Sequence, residues 1–152
     1  MEYSNLVKDF AQRTRQNLEL LKTLQRQHPD LEIYEVTQLI NSMLGLLVFP
    51  QQRYVRNIPR VPLDELARQG WPIPRVKGDY PQVSDLNQLV RYLRNAVAHF
   101  NIEFISDNGR QIQGIVVWNK NPREGGIDWK AELTLSEIET ITDKFIDLLT
   151  KD

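Results

Sequence analysis

The sequence predicts a mainly α-helical fold, with four main helices and a small antiparallel sheet inserted before the last of them. Three observations predict it. Several segments carry apolar residues at three- and four-residue spacings, the period of a helix with one buried face. One segment, Met43 to Phe49, is apolar on all sides, as a helix at the centre of a bundle would be. Late in the chain the turn word Asp107-Asn108-Gly109 separates two short runs of strand character. The chain has 152 residues, 41% of them hydrophobic, which supports a single domain over residues 1–152 with a real core.

Taken in order, the first helix opens near Ser4, a residue able to cap it, and carries Leu6, Phe10, Leu18, Leu21 and Leu24. It should end at His28-Pro29, because the residue before a proline is pushed out of the helical region. His28 is therefore a helix-terminal residue rather than a ligand. A second helix runs from about Glu32 to Phe49 and is stopped by Pro50. Within it Gly45 either lets another helix approach closely or is a tolerated weakness. From Pro50 to Pro81 the chain holds six of its eight prolines, with a short helix at Leu63 to Arg68. So long a connection in a compact protein is uncommon and is often functional.

A third main helix starts near Ser84, and Leu86, Leu89, Val90, Leu93 and Val97 form its core-facing stripe. Asn87, Arg91, Arg94, Asn95, Ala98 and His99 fall on the other arc, with Arg94 and His99 about 140° apart at its margins. Strands are expected around Ile102 to Ile105 and Gln111 to Trp118, and a third where Trp129, Ala131 and Leu133 alternate with polar residues. Thr134 and Glu137 make a capping box for the last helix, whose apolar face is Ile138, Ile141, Phe145, Leu148 and Leu149. Trp71, Trp118 and Trp129 are expected in the core or at an interface.

Composition excludes several function classes. The chain has no cysteine, which rules out disulfides, thiolate metal sites and a cysteine nucleophile, and fits a reducing compartment. The N-terminal residues lack a basic region followed by an apolar run, and the longest apolar stretch is too short to cross a bilayer, so a soluble cytoplasmic protein is expected. No cofactor and no metal are implied: the two histidines are far apart, no paired-ligand motif accompanies either, and Glu124-Gly125-Gly126 lacks the lysine of a phosphate loop. A net charge of -1 argues against a protein that coats nucleic acid. Its distribution is uneven, however. Arg53, Arg56, Arg60, Arg68, Arg75 and Lys77 stand against only Asp64 and Glu65 between Gln51 and Gly78. Arg53, Arg56 and Lys77 are accordingly candidate substrate contacts, the alternative being a solvated basic loop.

The chemistry concentrates in Arg94-Asn95-Ala96-Val97-Ala98-His99, at the end of the third main helix. Histidine exchanges a proton near neutral pH, and a guanidinium stays charged and offers a fork of donors matched to phosphate oxygens. RNA cleavage without a metal needs both abilities. The 2'-hydroxyl loses a proton as it attacks phosphorus, the leaving 5'-oxygen gains one, and the anionic phosphorane needs stabilising. One histidine cannot comfortably do all of this, whereas two copies of the helix meeting at a two-fold axis would bring two into one cleft. On residues alone a plainer reading also stands, in which Arg94 pairs with a carboxylate and His99 ends a helix.

The hexapeptide resembles the arginine-polar-x-x-x-histidine form of the Rx4-6H motif of HEPN domains, with Asn95 at the polar position. The segments Tyr34 to Asn41 and Leu46 to Pro50 are similar to those of small bacterial HEPN proteins, often borne on plasmids or islands. The resemblance implies an up-down four-helix bundle and a metal-independent endoribonuclease that works as a homodimer on RNA, leaving 2',3'-cyclic phosphate ends. His99 would be the acid/base group, Arg94 the phosphate-stabilising group, and Asn95 the group that orients or binds. Arg91, one turn before Asn95, would extend the cleft or pair with an acid of the second protomer. Such proteins often act as toxins restrained by an antitoxin, or in phage defence and stress responses. Asn101 stands where nucleotidyltransferase-regulated toxins carry tyrosine, which speaks against that form of regulation. The alternative function is a non-catalytic dimerisation module that binds RNA, a nucleotide or a protein partner.

Overall fold

One core takes residues from the helices and the sheet, but the first helix enters it through Val7 and Ala11 rather than through its expected stripe, of which Phe10 and Leu18 pack partly against the core and Leu6, Leu21 and Leu24 are not buried. In the computed structural model, which describes residues 3–48, 58–108 and 111–151, the helices are α1 (Tyr3–Gln27), α2 (Glu35–Val48), α3 (Leu63–Arg68), α4 (Leu86–Ala98) and α5 (Leu135–Thr150). The strands are β1 (Arg75–Val76), β2 (Ile102–Ser106), β3 (Ile112–Lys120) and β4 (Ile127–Thr134), in an antiparallel sheet of order β1-β4-β3-β2.

α1 is already helical at Tyr3, so Ser4 lies inside its first turn rather than at its cap. His28 follows the last helical residue, is exposed, and gives its backbone N–H to Leu24 O at 2.8 Å, the terminal role expected of it. α2 begins later than Glu32 because the Leu31 and Ile33 N–H groups bond back to His28 and Leu31 carbonyls, holding that segment in turns. Its predicted end at Phe49-Pro50 lies outside the described residues. α2 packs against α1, α4 and α5, the central position that its apolar composition predicts, although Leu44 remains exposed. Gly45 serves close approach: a Cβ there would stand 3.2 Å from Cζ of Phe10 on α1.

From residue 58 on, the connection before α4 is more ordered than its prolines suggest. Leu66 of α3 and Trp71 are buried in the core, and Arg75 and Val76 pair with Glu132 and Ala131 of β4, a strand that two residues between prolines and glycines did not announce. α4 is capped one residue later than Ser84, by Asp85, whose carboxylate accepts from Gln88 N–H at 2.8 Å. The β2–β3 hairpin is closed by Asp107 N–H donating to Gln111 O at 3.0 Å; Gly109 of the turn word lies outside the described residues.

The sheet is a layer in its own right rather than a small insertion. Ile115 and Val117 of β3 and Trp129, Ala131 and Leu133 of β4 are buried on one face, on which α4 and α5 lie. Glu132, Lys130 and Trp118 alternate to the other face, where the Lys130 ammonium sits 5.7 Å from the centre of the Trp118 ring. Of the three tryptophans, Trp71 and Trp129 are therefore core residues, and Trp118 is half-buried on the outer face. The fold is mixed but mainly helical. The Thr134 hydroxyl and the Glu137 carboxylate form the predicted capping box at the start of α5.

Candidate active site

The apolar stripe of α4 decides what its polar residues can do. Leu93 and Val97 are drawn into the core, which leaves Arg94 and Asn95 half-buried at the edge of the stripe and His99 exposed beyond the last turn. The helix ends in a Schellman arrangement, with Asn101 N–H bonded to Ala96 O at 2.7 Å and Phe100 N–H to Val97 O at 3.2 Å. The left-handed position of that arrangement, usually glycine, is held here by Phe100 at φ 54°, a residue 74% exposed. The reversal turns the chain directly from His99 into β2.

Among the described residues Arg94 does not bind a carboxylate directly. Its Nη2 donates to Asn95 Oδ1, Asn95 Nδ2 donates to Asn119 Oδ1 at 2.9 Å, and Asn119 Nδ2 donates to Asp128 Oδ1 at 2.7 Å. Asn119, only 2% exposed, sits on the helix-facing side of β3. Asp128 comes within reach because the register shifts at this point: Asn119 opposes Trp129 and Lys120 opposes Ile127, so Asp128 is the extra, unpaired residue of a β-bulge.

The Arg94 guanidinium is a poorly compensated cation. Burial, and then the neighbouring charge of Arg91, lower its affinity for its proton, though never enough for arginine to lose it in water. Its Nε is buried and has no hydrogen-bond partner among the described residues. Arg91 is exposed, with its guanidinium 5.5 Å from the centre of the Tyr92 ring. An anion placed against the accessible edge of Arg94 would offset both the lost hydration and the like charge.

The structure thus brings Arg91, Arg94 and Asn95 together at one end of α4. His99 is at the same end, but among the described residues it makes no hydrogen bond to Arg94, in keeping with their angular separation on the helix. Lys77 is elsewhere: its Nζ pairs with Glu132 at 2.9 Å on the outer face of the sheet. Arg53 and Arg56 lie outside the described residues. Asn119 and Asp128 escaped the sequence reading because neither belongs to a motif with α4; the strand alternation of β3, which turns a polar residue inward at Asn119, was the available signal. No group of three or more potential metal ligands occurs among the described residues. No helix among them is long and apolar enough to cross a membrane.

A family model described as HEPN pEK499 p136 matches residues 1–152. No curated protein matches, and no solved structure matches.

Proposed function

The chain belongs to the HEPN family, and from that premise we propose that it is a metal-independent endoribonuclease acting as a homodimer in the cytoplasm. α1, α2, α4 and α5 would be the four helices of the family's bundle, and two copies of α4 would meet at the catalytic cleft. The observation that carries the reading is Arg94: a half-buried guanidinium beside a second cation, at the same helix end as an exposed histidine.

In this reading a neutral His99 imidazole takes the proton of the 2'-hydroxyl as that oxygen bonds to phosphorus. The bond from phosphorus to the 5'-oxygen breaks, and that oxygen receives a proton from an imidazolium, supplied by His99 of the second protomer. The products are a 2',3'-cyclic phosphate and a free 5'-hydroxyl. Arg94 donates to the non-bridging oxygens as charge builds on them, Asn95 keeps the guanidinium aimed, and Arg91 extends the positive surface along the RNA. Lys77, on the outer face of the sheet, would contribute only to substrate held farther away, and Arg53 and Arg56 stay candidate substrate contacts. Such an activity suits a toxin or a defence or stress effector, held in check by an antitoxin or another regulatory protein.

The test is cleavage of a mixed RNA pool in excess EDTA, beside His99→Ala, with end-group analysis of the products. Cyclic phosphate ends that vanish in the variant are the expected result. Because His99 is exposed, the variant should keep the parent's stability to within about 0.5 kcal/mol. Equal cleavage by both proteins would refute the assignment.

A second reading is favoured by the separation of His99 from Arg94 within one protomer. In it the chain is a non-catalytic dimerisation module that binds RNA, a nucleotide or a protein partner. Salt-sensitive association with RNA, and no cleavage under any condition, would select it.

A further inference from the structure

We propose that Asp128 is a positioning residue: through the carboxamides of Asn119 and Asn95 it fixes which edge of each amide faces its neighbour, and so holds the Arg94 guanidinium in place for phosphate. Its bearing on reaction rate rests on the ribonuclease reading, whereas the holding of Arg94 does not. The argument is one of hydrogen-bond polarity. A carboxylate only accepts and a guanidinium only donates, whereas a carboxamide does either depending on how it is turned. With Asp128 at one end, Asn119 must turn its NH2 towards the carboxylate and its oxygen towards Asn95. Asn95 must then give its NH2 to Asn119 and present its oxygen to Arg94, as it does. Both charged ends enforce the same direction, so no amide in the row has a second arrangement of equal energy.

The placement adds to this. Asn119 is nearly inaccessible and sits on β3, against which α4 packs, so the row ties the reactive helix to the sheet rather than to a mobile side chain. The β-bulge that leaves Asp128 unpaired is what brings its carboxylate to Asn119. The row ends in a carboxylate two amides away from Arg94, so no carboxylate of the row stands where phosphate must bind. A carboxylate directly on Arg94 would compete with substrate; one relayed through two neutral amides does not.

The exchange of the two end groups tests this. Asn119→Asp alone sets two carboxylates against each other, and their repulsion draws the one at position 119 away from Asn95, which leaves the Asn95 amide free to turn. The double variant Asn119→Asp with Asp128→Asn restores every polarity, since the new amide donates to the new carboxylate, which still accepts from Asn95. Two readouts are needed: the Arg94 Nη proton resonances in an NMR spectrum, resolved when the group is held, and kcat and KM for RNA cleavage in EDTA. Urea unfolding of each variant accompanies them. The expected result is loss of the Arg94 resonances in Asn119→Asp and a fall of about 10–100-fold in kcat, by analogy with the loss of a residue that orients a metal ligand. KM should change little, and the double variant should recover both signals.

Arg94 resonances that survive in a folded Asn119→Asp would overturn the proposal, as would an unchanged kcat when they are lost. A double variant no better than the single one, although folded, would do the same. If Asn119→Asp fails to fold, Asp128→Asn replaces it; that variant keeps an acceptor at position 128 but no longer enforces the direction, and unchanged Arg94 resonances with unchanged kcat there would overturn the proposal. A parent that cuts no RNA removes the ribonuclease reading, and the resonances alone then decide whether Asp128 holds Arg94.

Discussion

Replacing Phe100 by glycine and by alanine asks how α4 is terminated beside His99. At φ 54°, a side chain at this position crowds the backbone at a cost of about 1–2 kcal/mol. The ring returns little for that strain. The residue is 74% exposed, so its side chain recovers about a quarter of the roughly 1.5–3 kcal/mol that full burial of an aromatic brings, or ~0.5 kcal/mol. Both variants lose this contribution equally, and only glycine relieves the strain. Glycine is in turn disfavoured by about 0.5–1 kcal/mol because its unfolded chain is freer. The difference leaves Phe100→Gly more stable than Phe100→Ala by about 0.5–1 kcal/mol. Inside a helix the order is reversed, with alanine ahead by about 1 kcal/mol. The sign therefore tests the conformation. Urea unfolding at one fixed protein concentration measures it, because self-association would make the midpoint depend on concentration. With equal slopes the midpoints compare directly. An alanine variant as stable as the glycine variant, or more so, would refute the left-handed turn at the end of α4 and with it the placement of His99.

Three further outcomes follow from other parts of the fold. Gly114→Ala should lower stability by about 1–3 kcal/mol in urea unfolding, because a Cβ there would collide with the Leu133 carbonyl of β4; an unchanged midpoint would mean that the two strands are not so close. Thr134→Ala should cost about 1 kcal/mol through loss of the capping box, and a loss confined to the noise would show that the Glu137 half suffices. Glu132, held below the usual carboxylate range first by the Lys77 ammonium and also by Arg75, contributes stability that is present above the unfolded value of about 4.3 and is lost as pH falls through its lowered one. The stability gap between the parent and Glu132→Gln should therefore be constant above about pH 5 and close at lower pH, and a gap unchanged at about pH 3 would contradict the pairing.

Most of the fold was legible because its helices follow their apolar period. The α4 stripe of Leu86, Leu89, Val90, Leu93 and Val97 is buried as predicted, and the all-apolar half of α2 does mark the helix that touches three others. What escaped were features set by distant partners. β1 is two residues long and is a strand only because β4 offers Ala131 and Glu132 to pair with; no local pattern of Arg75 and Val76 could announce that. The start of α2 moved from Glu32 to Glu35 because backbone groups after Pro29 found turn partners first, and propensity is silent about that competition.

The candidate site divides along the same line. Arg94, Asn95 and His99 were visible because they are neighbours in one word of sequence, and helix geometry already stated that Arg94 and His99 diverge within a protomer. The partners that give Arg94 its setting are 24 and 9 residues apart along the row, from Asn95 to Asn119 and from Asn119 to Asp128, and they meet only through a sheet whose register slips by one residue. That slip has a chemical consequence. In a regular ladder Asp128 would alternate to the face away from α4, as Lys130 and Glu132 do, and Asn119 would be left with a buried amide and no acceptor. Closing the bulge by deleting one residue should therefore damage the Arg94 setting more than the sheet itself, since strand pairing would improve while the row of amides lost its carboxylate.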